Sequence, residues 1–204
     1  MSHWAGKFVI GLTGNIGCGK STVMHILEEL GAFTIDADEL SHDAICQGEP
    51  AYEEIVNWLG GQVLSDDAEI DRNQLAEIVF SNPEKLARLE EIIHPEVEKK
   101  IDQLINQTTK EIVVIEAIKI IDGGLYRKCD SLWVVVCLPQ NQIRRLVEKR
   151  HLTLEEAERR IKVQSPQEEK AKFANWVIDN NGSISKTRQI VHDIWEKSVC
   201  IQKK

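Results

Sequence analysis

One short segment near the start of the chain has the residue types and spacing suited to binding phosphate groups. The motif GxxxxGK[ST] is matched at every fixed position by Gly14-Asn15-Ile16-Gly17-Cys18-Gly19-Lys20-Ser21. Glycines tolerate a positive φ, which lets backbone N–H groups approach phosphate oxygens closely. We therefore predict a phosphate-binding loop in which Lys20 reaches the β- and γ-phosphates of a nucleotide and Ser21 binds its Mg²⁺.

Two carboxylates follow the second apolar run of the chain, at Asp36 and Asp38. Carboxylates at the C-terminal end of a parallel strand lie at the edge where α/β sheets bind ligands. Near nucleotide phosphates, one of these carboxylates could bind Mg²⁺ through water, and the other could accept the proton of an attacking hydroxyl. The alternative is that both residues only cap the following helix.

Apolar runs of strand length alternate with longer helical patterns. Continuous β-branched runs are typical of strands buried on both faces of a parallel sheet. The alternation predicts a doubly wound α/β fold, with a five-stranded parallel sheet flanked by helices. The predicted strands are residues 8–13, 32–36, 112–115, 132–136 and 176–178.

Two mainly helical stretches interrupt this alternation. Residues 50–106 form a predicted helical insertion, with His94-Pro95 near a helix boundary. Residues 139–172 are charged, and Thr153-Leu154-Glu155-Glu156 is a capping-box pattern, so this stretch is a predicted helical hairpin. The remaining core comprises residues 1–49, 107–138 and 173–204.

Composition excludes several classes of protein. The chain has 204 residues and a net charge of −8, so it lacks the basic field needed for sequence-independent nucleic-acid binding. No signal peptide and no apolar run of membrane-spanning length is present, which predicts a cytoplasmic protein. Five scattered cysteines without a CxxC pair favour reduced thiols over disulfides or a zinc site.

A phosphate-binding loop alone does not separate kinases from GTPases or motor ATPases. GTPases read guanine with an NKxD motif, which this sequence lacks. One DxxG string occurs at Asp179-Asn180-Asn181-Gly182, but it follows the last predicted strand, so we interpret it as a coincidence. These observations favour a small-molecule kinase.

Several motifs together are more specific than the loop. Thr13 to Thr22 and Ile35-Asp36-Ala37-Asp38 resemble the opening of the dephospho-CoA kinase family. The resemblance runs from about Phe8 to Gly182. It continues through Ile70-Asp71-Arg72, Leu75, Val79-Phe80, Leu89, His94-Pro95, Gln142, Arg145, Arg160-Ile161, Gln164 and Val177-Ile178-Asp179-Asn180-Asn181-Gly182.

The resemblance implies a reaction and a set of roles. ATP, with Mg²⁺, would phosphorylate the ribose 3′-hydroxyl of dephospho-CoA, with no nucleic-acid or membrane partner. Asp38 would be the base and Lys20 would contact the phosphates. The helical insertion of residues 50–106 would be the CoA-binding domain, and the hairpin of residues 139–172 would be a lid whose Arg145 and Arg160 stabilise the transition state. Thr13, Arg72 and His94 would contact the acceptor together with Asp38. The nucleotide contacts implied are Gly14, Asn15, Ile16, Gly17, Cys18, Gly19, Lys20, Ser21, Thr22 and Asn180, and the metal ligands are Ser21 and Asp36.

Plainer interpretations stay open for several of these residues. Arg72, Arg145 and Arg160 are equally compatible with solvated surface positions, and His94 with a capping or core position. The sequence also departs from the family after the third strand, where Ile118-Lys119-Ile120-Ile121-Asp122 replaces Pro-Leu-Leu-x-Glu. Glu116, directly after the third predicted strand, could supply the carboxylate instead.

Two other functions remain compatible with the residues. One is another P-loop kinase, acting on a nucleoside monophosphate or a sugar. The other is a nucleotide-binding regulatory protein without catalysis. A substrate panel separates the first from a dephospho-CoA kinase, and substitution of Asp38 separates the second.

Overall fold

A five-stranded parallel sheet forms the centre of the computed structural model, which describes residues 3–199. Its strand order is β2-β3-β1-β4-β5. The five predicted strands are confirmed, with every boundary within one residue of the prediction. The strands are β1 Phe8–Thr13, β2 Phe33–Asp36, β3 Ile112–Glu116, β4 Ser131–Val136 and β5 Trp176–Asp179.

The sheet order places the loop that follows β1 at the middle of the sheet edge. Strand β1 pairs in parallel with β3 on one side, where Leu12 lies opposite Glu116. On its other side it pairs with β4, where Thr13 lies opposite Val134. The loop after Thr13 therefore starts between the C-terminal ends of β3 and β4, where open α/β sheets bind their ligands.

Helices make up most of the remaining structure, together with short 3₁₀ turns at Gly61–Val63 and Leu125–Lys128. The helices are α1 Lys20–Glu29, α2 Ala37–Asp43, α3 Pro50–Leu59, α4 Arg72–Phe80, α5 Pro83–Gln107, α6 Pro139–Arg150, α7 Leu154–Lys162, α8 Gln167–Ala171 and α9 Ile184–Val199. By its internal contacts the chain divides into two compact units. One contains the chain up to Ile35 together with the chain from Thr109, and the other is Asp36–Thr108.

The first unit buries its core between the sheet and its helices. Leu12 and Trp133 come from the sheet and are fully buried, and they belong to one apolar cluster with Leu27 of α1 and Val191 of α9. Full burial of a large apolar side chain stabilises a fold by about 1.5–3 kcal/mol. This cluster fixes α1, and therefore the loop before it, against the sheet.

The second unit is helical and has its own apolar core. Ile55, Val63, Leu75 and Val79 are buried there among side chains from α3, α4 and α5. Asp71 caps α4, because its Oδ1 accepts from the N–H groups of the second and third helical residues. Asn82 caps α5 in the same way.

Helix α5 corrects one prediction about this unit. We expected a helix boundary near His94-Pro95, but α5 continues from Pro83 to Gln107 through Pro95. An interior proline removes one backbone hydrogen bond and costs about 3 kcal/mol. Apolar residues on both sides of it, among them Ile92 and Val97, are buried and offset that cost.

The predicted helical hairpin is confirmed. Helix α6 ends at Arg150, and His151 adopts a left-handed conformation with φ 53° at its C-cap. Thr153 and Glu156 form a complete capping box at the start of α7. None of the helices within residues 3–199 is long and apolar enough to cross a membrane.

Candidate active site

The loop between β1 and α1 is shaped by close approaches of other elements to its glycines. Gly19, the N-cap of α1, has φ 92°, a conformation that favours glycine. A Cβ on Gly19 would overlap the side-chain amide of Asn180, and a Cβ on Gly14 would overlap the carbonyl oxygen of Val135. The two glycines are therefore required by packing as well as by backbone conformation.

The carbonyl groups of this loop are bound by side chains from α6 and from the segment after β5. Gln142 Nε2 donates to Ile16 O over 2.7 Å. Arg145 Nη1 donates to Cys18 O over 2.9 Å and to Gly17 O over 3.2 Å. Asn180 Nδ2 also donates to Cys18 O, over 2.7 Å. Because these bonds hold the carbonyl groups, they fix the orientation of the peptide groups in the loop.

The N–H groups at the start of α1 remain for a ligand. The first turn of an α-helix has N–H groups without an intrahelical acceptor, and the helix N-terminus favours negative charge. Within the described part of the chain, no side chain caps α1. Together with the bound carbonyl groups, this arrangement makes the loop an anion-binding site of the kind that holds nucleotide phosphates.

Lys20 is held at this loop by two contacts. Its Nζ donates to Gly14 O over 3.1 Å and lies 3.4 Å from Glu116 Oε1. Both charged side chains are largely buried, with 11% of each exposed. Glu116 ends β3 beside β1, which explains how a carboxylate far along the chain reaches the loop lysine. Sequence analysis had singled out Glu116 from its position directly after a strand.

Arg145 and Asn180 are bound to each other as well as to the loop. Arg145 Nη2 donates to Asn180 O over 2.6 Å, and the Asn180 side-chain oxygen accepts from Thr187 Oγ1 over 2.7 Å. The structure thus gives both residues the function of positioning the loop. Their predicted contacts with the transition state and with the nucleotide remain predictions. Thr187 is fully buried, and no motif distinguished it in the sequence.

The hairpin and the segment after it also contact the loop. Ile16 packs with Leu146 of α6 and Ala157 of α7 in a small apolar cluster. The Ile16 N–H donates to Gln164 Oε1 over 2.8 Å, and Asn15 Nδ2 donates to Ser165 O over 2.8 Å. The predicted lid residue Arg160 is exposed in the last turn of α7.

Thr13 and a buried lysine hold the segment that departs from the family pattern. Thr13 is buried, and its hydroxyl donates to Ile118 O over 3.2 Å. Lys170 of α8, which is 6% exposed, donates from Nζ to the same oxygen over 3.0 Å. Sequence reasoning missed Lys170, because it is one of many charged residues in that stretch. The predicted contact of Thr13 with the acceptor remains a prediction.

The predicted metal-binding and base residues outside the loop lie near the start of α2. Asp36 is the N-cap of α2, since its Oδ1 accepts from Glu39 N–H over 3.0 Å, and its binding of Mg²⁺ remains a prediction. Asp38 lies in the first turn of α2 and is half-buried. Arg72, the first residue of α4, and His94 of α5 are both exposed.

The comparison with known proteins agrees with this geometry. The family model described as "Dephospho-CoA kinase" matches residues 8–186, which include the loop, the second unit and the hairpin. The chain belongs to the dephospho-CoA kinase family. Members of this family are kinases, which excludes the interpretation as a GTPase or a motor ATPase and confirms the resemblance drawn from the motifs.

Individual relatives cover nearly the whole chain. A protein of Aquifex aeolicus (strain VF5) named "Dephospho-CoA kinase" is 43% identical over 189 residues, covering 92% of this chain and 96% of the relative. The solved structure of TT1252 from Thermus thermophilus has a TM-score of 0.84 at 31% identity, covering 94% of this chain and 98% of that one. The dephospho-CoA kinase from Campylobacter jejuni has a TM-score of 0.58 at 29% identity, covering 95% and 98%.

Proposed function

We propose that this chain transfers the γ-phosphate of ATP to the 3′-hydroxyl of the ribose in dephospho-CoA, giving coenzyme A and ADP in the cytoplasm. The observation that carries this proposal is the family match over residues 8–186, which spans both the loop and the second unit. The preformed loop supports it, because its carbonyl groups are bound by Gln142, Arg145 and Asn180 while the helix N-terminus stays uncapped within residues 3–199.

In the proposal, the loop binds the nucleotide phosphates and provides positive charge to them. Backbone N–H groups and the N-terminus of α1 would hold the β- and γ-phosphates, and Lys20 would neutralise charge as the γ-phosphoryl group moves. Since Lys20 is paired with Glu116, binding of the triphosphate would replace a carboxylate partner with a phosphate partner. Arg160 would add positive charge at the transferred group, as arginines do in other P-loop enzymes.

The chemical step needs a base at the acceptor. In the proposal, Asp38 accepts the proton of the ribose 3′-hydroxyl as its oxygen attacks the γ-phosphorus. The bond between the γ-phosphorus and the β-γ bridging oxygen breaks, and ADP leaves. Arg72 and His94, which the resemblance assigns to acceptor binding, lie in the same unit as Asp38.

The residues present also fit a bound Mg²⁺. Ser21 is exposed in the first turn of α1, directly after the loop lysine, and Asp36 keeps free lone pairs while capping α2. Among the residues that the structure describes, no three His, Cys, Asp or Glu side chains form a metal cluster. When bound, Mg²⁺ would neutralise charge on the nucleotide phosphates.

An acceptor panel tests the proposal directly. ADP release is followed with ATP and, in turn, dephospho-CoA, AMP, CMP and gluconate, and the product is identified by mass spectrometry and phosphorus NMR. We expect turnover with dephospho-CoA alone and a phosphate on the ribose 3′ position. Turnover of another acceptor without turnover of dephospho-CoA would reject the proposal in favour of a different small-molecule kinase.

A further inference from the structure

Two cysteine side chains beside the loop take no part in the reaction proposed above. Cys18 belongs to the loop, Cys137 directly follows β4, and both thiols are free. The residues come together because β1 and β4 are neighbours, paired up to Thr13 and Val134. Both cysteines are bound by the side chain of Gln167. Two neighbouring thiols at a nucleotide-binding loop can be joined by oxidation.

One amide group fixes both cysteines in this arrangement. Gln167 Oε1 accepts from Cys18 Sγ over 3.1 Å and from the Cys137 N–H over 2.9 Å. Gln167 Nε2 donates to Cys137 O over 2.8 Å. Cys137 Sγ also lies 3.9 Å from Gly17 O, so its sulfur contacts the loop itself. Both cysteines are therefore held at the loop by the same side chain before any oxidant arrives.

We propose that Cys18 and Cys137 form a modification site at which hydrogen peroxide joins the two thiols in a disulfide and prevents nucleotide binding. The Cys137 sulfur attacks one peroxide oxygen, the O–O bond breaks, and Cys137 sulfenic acid and one water form. The Cys18 sulfur then attacks the sulfenic sulfur, the S–O bond breaks, and the second water leaves with the Cys18 proton. Two electrons pass from the thiols to the peroxide.

The surroundings of the thiols set this order of attack. The neighbouring Cys18 thiol and the nearby charge of Arg145 lower the pKa of Cys137. The neighbouring Cys137 thiol and burial raise the pKa of Cys18. Cys137 is 5% exposed, whereas Cys18 is fully buried. A thiol of lowered pKa beside a second thiol that can resolve its sulfenic acid is typical of oxidation-sensitive cysteines.

The disulfide would deform the loop that binds the phosphates. Its S–S bond is about 2 Å long, so forming it must draw the Cys18 and Cys137 side chains together and pull on the loop. Oxidation also removes the S–H that Cys18 donates to Gln167. The carbonyl group of Cys18 is held by Arg145 and Asn180, so this movement disturbs the peptides whose N–H groups face the ligand.

The first experiment uses the full chain as it exists. The protein is treated with hydrogen peroxide, and ATP binding, intact mass and disulfide-linked peptides are measured before and after dithiothreitol. We expect loss of two hydrogens, a Cys18–Cys137 linked peptide, and weakening of ATP binding by about tenfold or more, reversed by dithiothreitol. Absence of the linked peptide at peroxide concentrations that abolish ATP binding would overturn the proposal, whether or not the chain phosphorylates dephospho-CoA.

Variants then separate this pair from the other cysteines. Cys137→Ser and Cys137→Ala are each compared with their own reduced form, and both should keep their ATP binding in peroxide. Cys46→Ser and Cys129→Ser are matched controls that should remain as sensitive as the unaltered protein. If peroxide weakens ATP binding by the Cys137 variants as much as it does in the unaltered protein, the proposal is wrong. If neither Cys137 variant folds, the linked peptide of the unaltered protein alone decides.

Discussion

Arg145 binds two backbone segments that are far apart in sequence. Its guanidinium donates to Gly17 O and Cys18 O in the loop and to Asn180 O after β5. A planar guanidinium can donate in several fixed directions, whereas a lysine ammonium is a single point of charge. The sequence predicted that Arg145 acts in catalysis, but it could not predict these carbonyl partners, because backbone acceptors leave no motif.

Replacement of Arg145 by lysine tests this positioning function. Arg145→Lys keeps the charge but cannot reach all three carbonyl groups, so ATP affinity should fall by about tenfold or more, consistent with about 1.5–3 kcal/mol for a charged hydrogen bond. Titration of ATP binding measures the change. The exposed neighbour Arg144 provides the control, since Arg144→Lys should leave ATP affinity unchanged. An Arg145→Lys protein that binds ATP normally would contradict the assigned function.

Gly19 and Gly48 have nearly the same positive φ angle in different surroundings. Their φ angles are 92° and 91°, but a Cβ would overlap the Asn180 amide only at Gly19, since nothing lies within 4 Å of a Cβ at Gly48. Each alanine should cost about 1–2 kcal/mol of stability from the left-handed backbone. Only Gly19→Ala should also abolish ATP binding, which calorimetry with the two variants would check. Equal ATP affinity in both would show that the contact with Asn180 is unimportant.

At the scale of elements, periodicity and turn chemistry predicted most of the fold. The β-branched runs gave strands within one residue of those observed, and the Thr153 capping box marked the start of α7. Helix α5 was the exception, because a local rule about Pro95 was outweighed by burial of apolar residues on both sides of it. Burial of that kind depends on tertiary contacts that a local pattern does not contain.

Pro95 therefore provides a stability test. Pro95→Ala restores a backbone donor in the middle of α5 and should raise the free energy of unfolding by roughly 1–3 kcal/mol. Chemical denaturation measures the change. Pro83 is the first residue of the same helix, where proline is favourable. Pro83→Ala should therefore not raise the free energy of unfolding. A Pro95→Ala protein less stable than the original would show that the proline is required for the path of α5.

At the scale of the whole molecule, the phosphate-binding loop and most of the residues assigned to the acceptor belong to different compact units. The loop and Lys20 are in the first unit, whereas Asp38, Arg72 and His94 are in the second. The motifs predicted only part of this division, because they placed Asp38 in the core of residues 1–49 and Arg72 and His94 in the insertion of residues 50–106. The side chains that fix the loop, Gln142 and Thr187 among them, come from elements that only the folded chain brings together.

The rate of phosphate transfer by Asp38→Asn tests the account most directly. Asparagine preserves the shape of the side chain but cannot accept the ribose proton, so transfer to dephospho-CoA should fall by about 10²–10⁴-fold while ATP affinity stays the same. Asp43→Asn, an exposed change on the same helix, is the control and should leave both quantities unchanged. An Asp38→Asn protein that turns over dephospho-CoA at the rate of the unaltered chain would contradict the account.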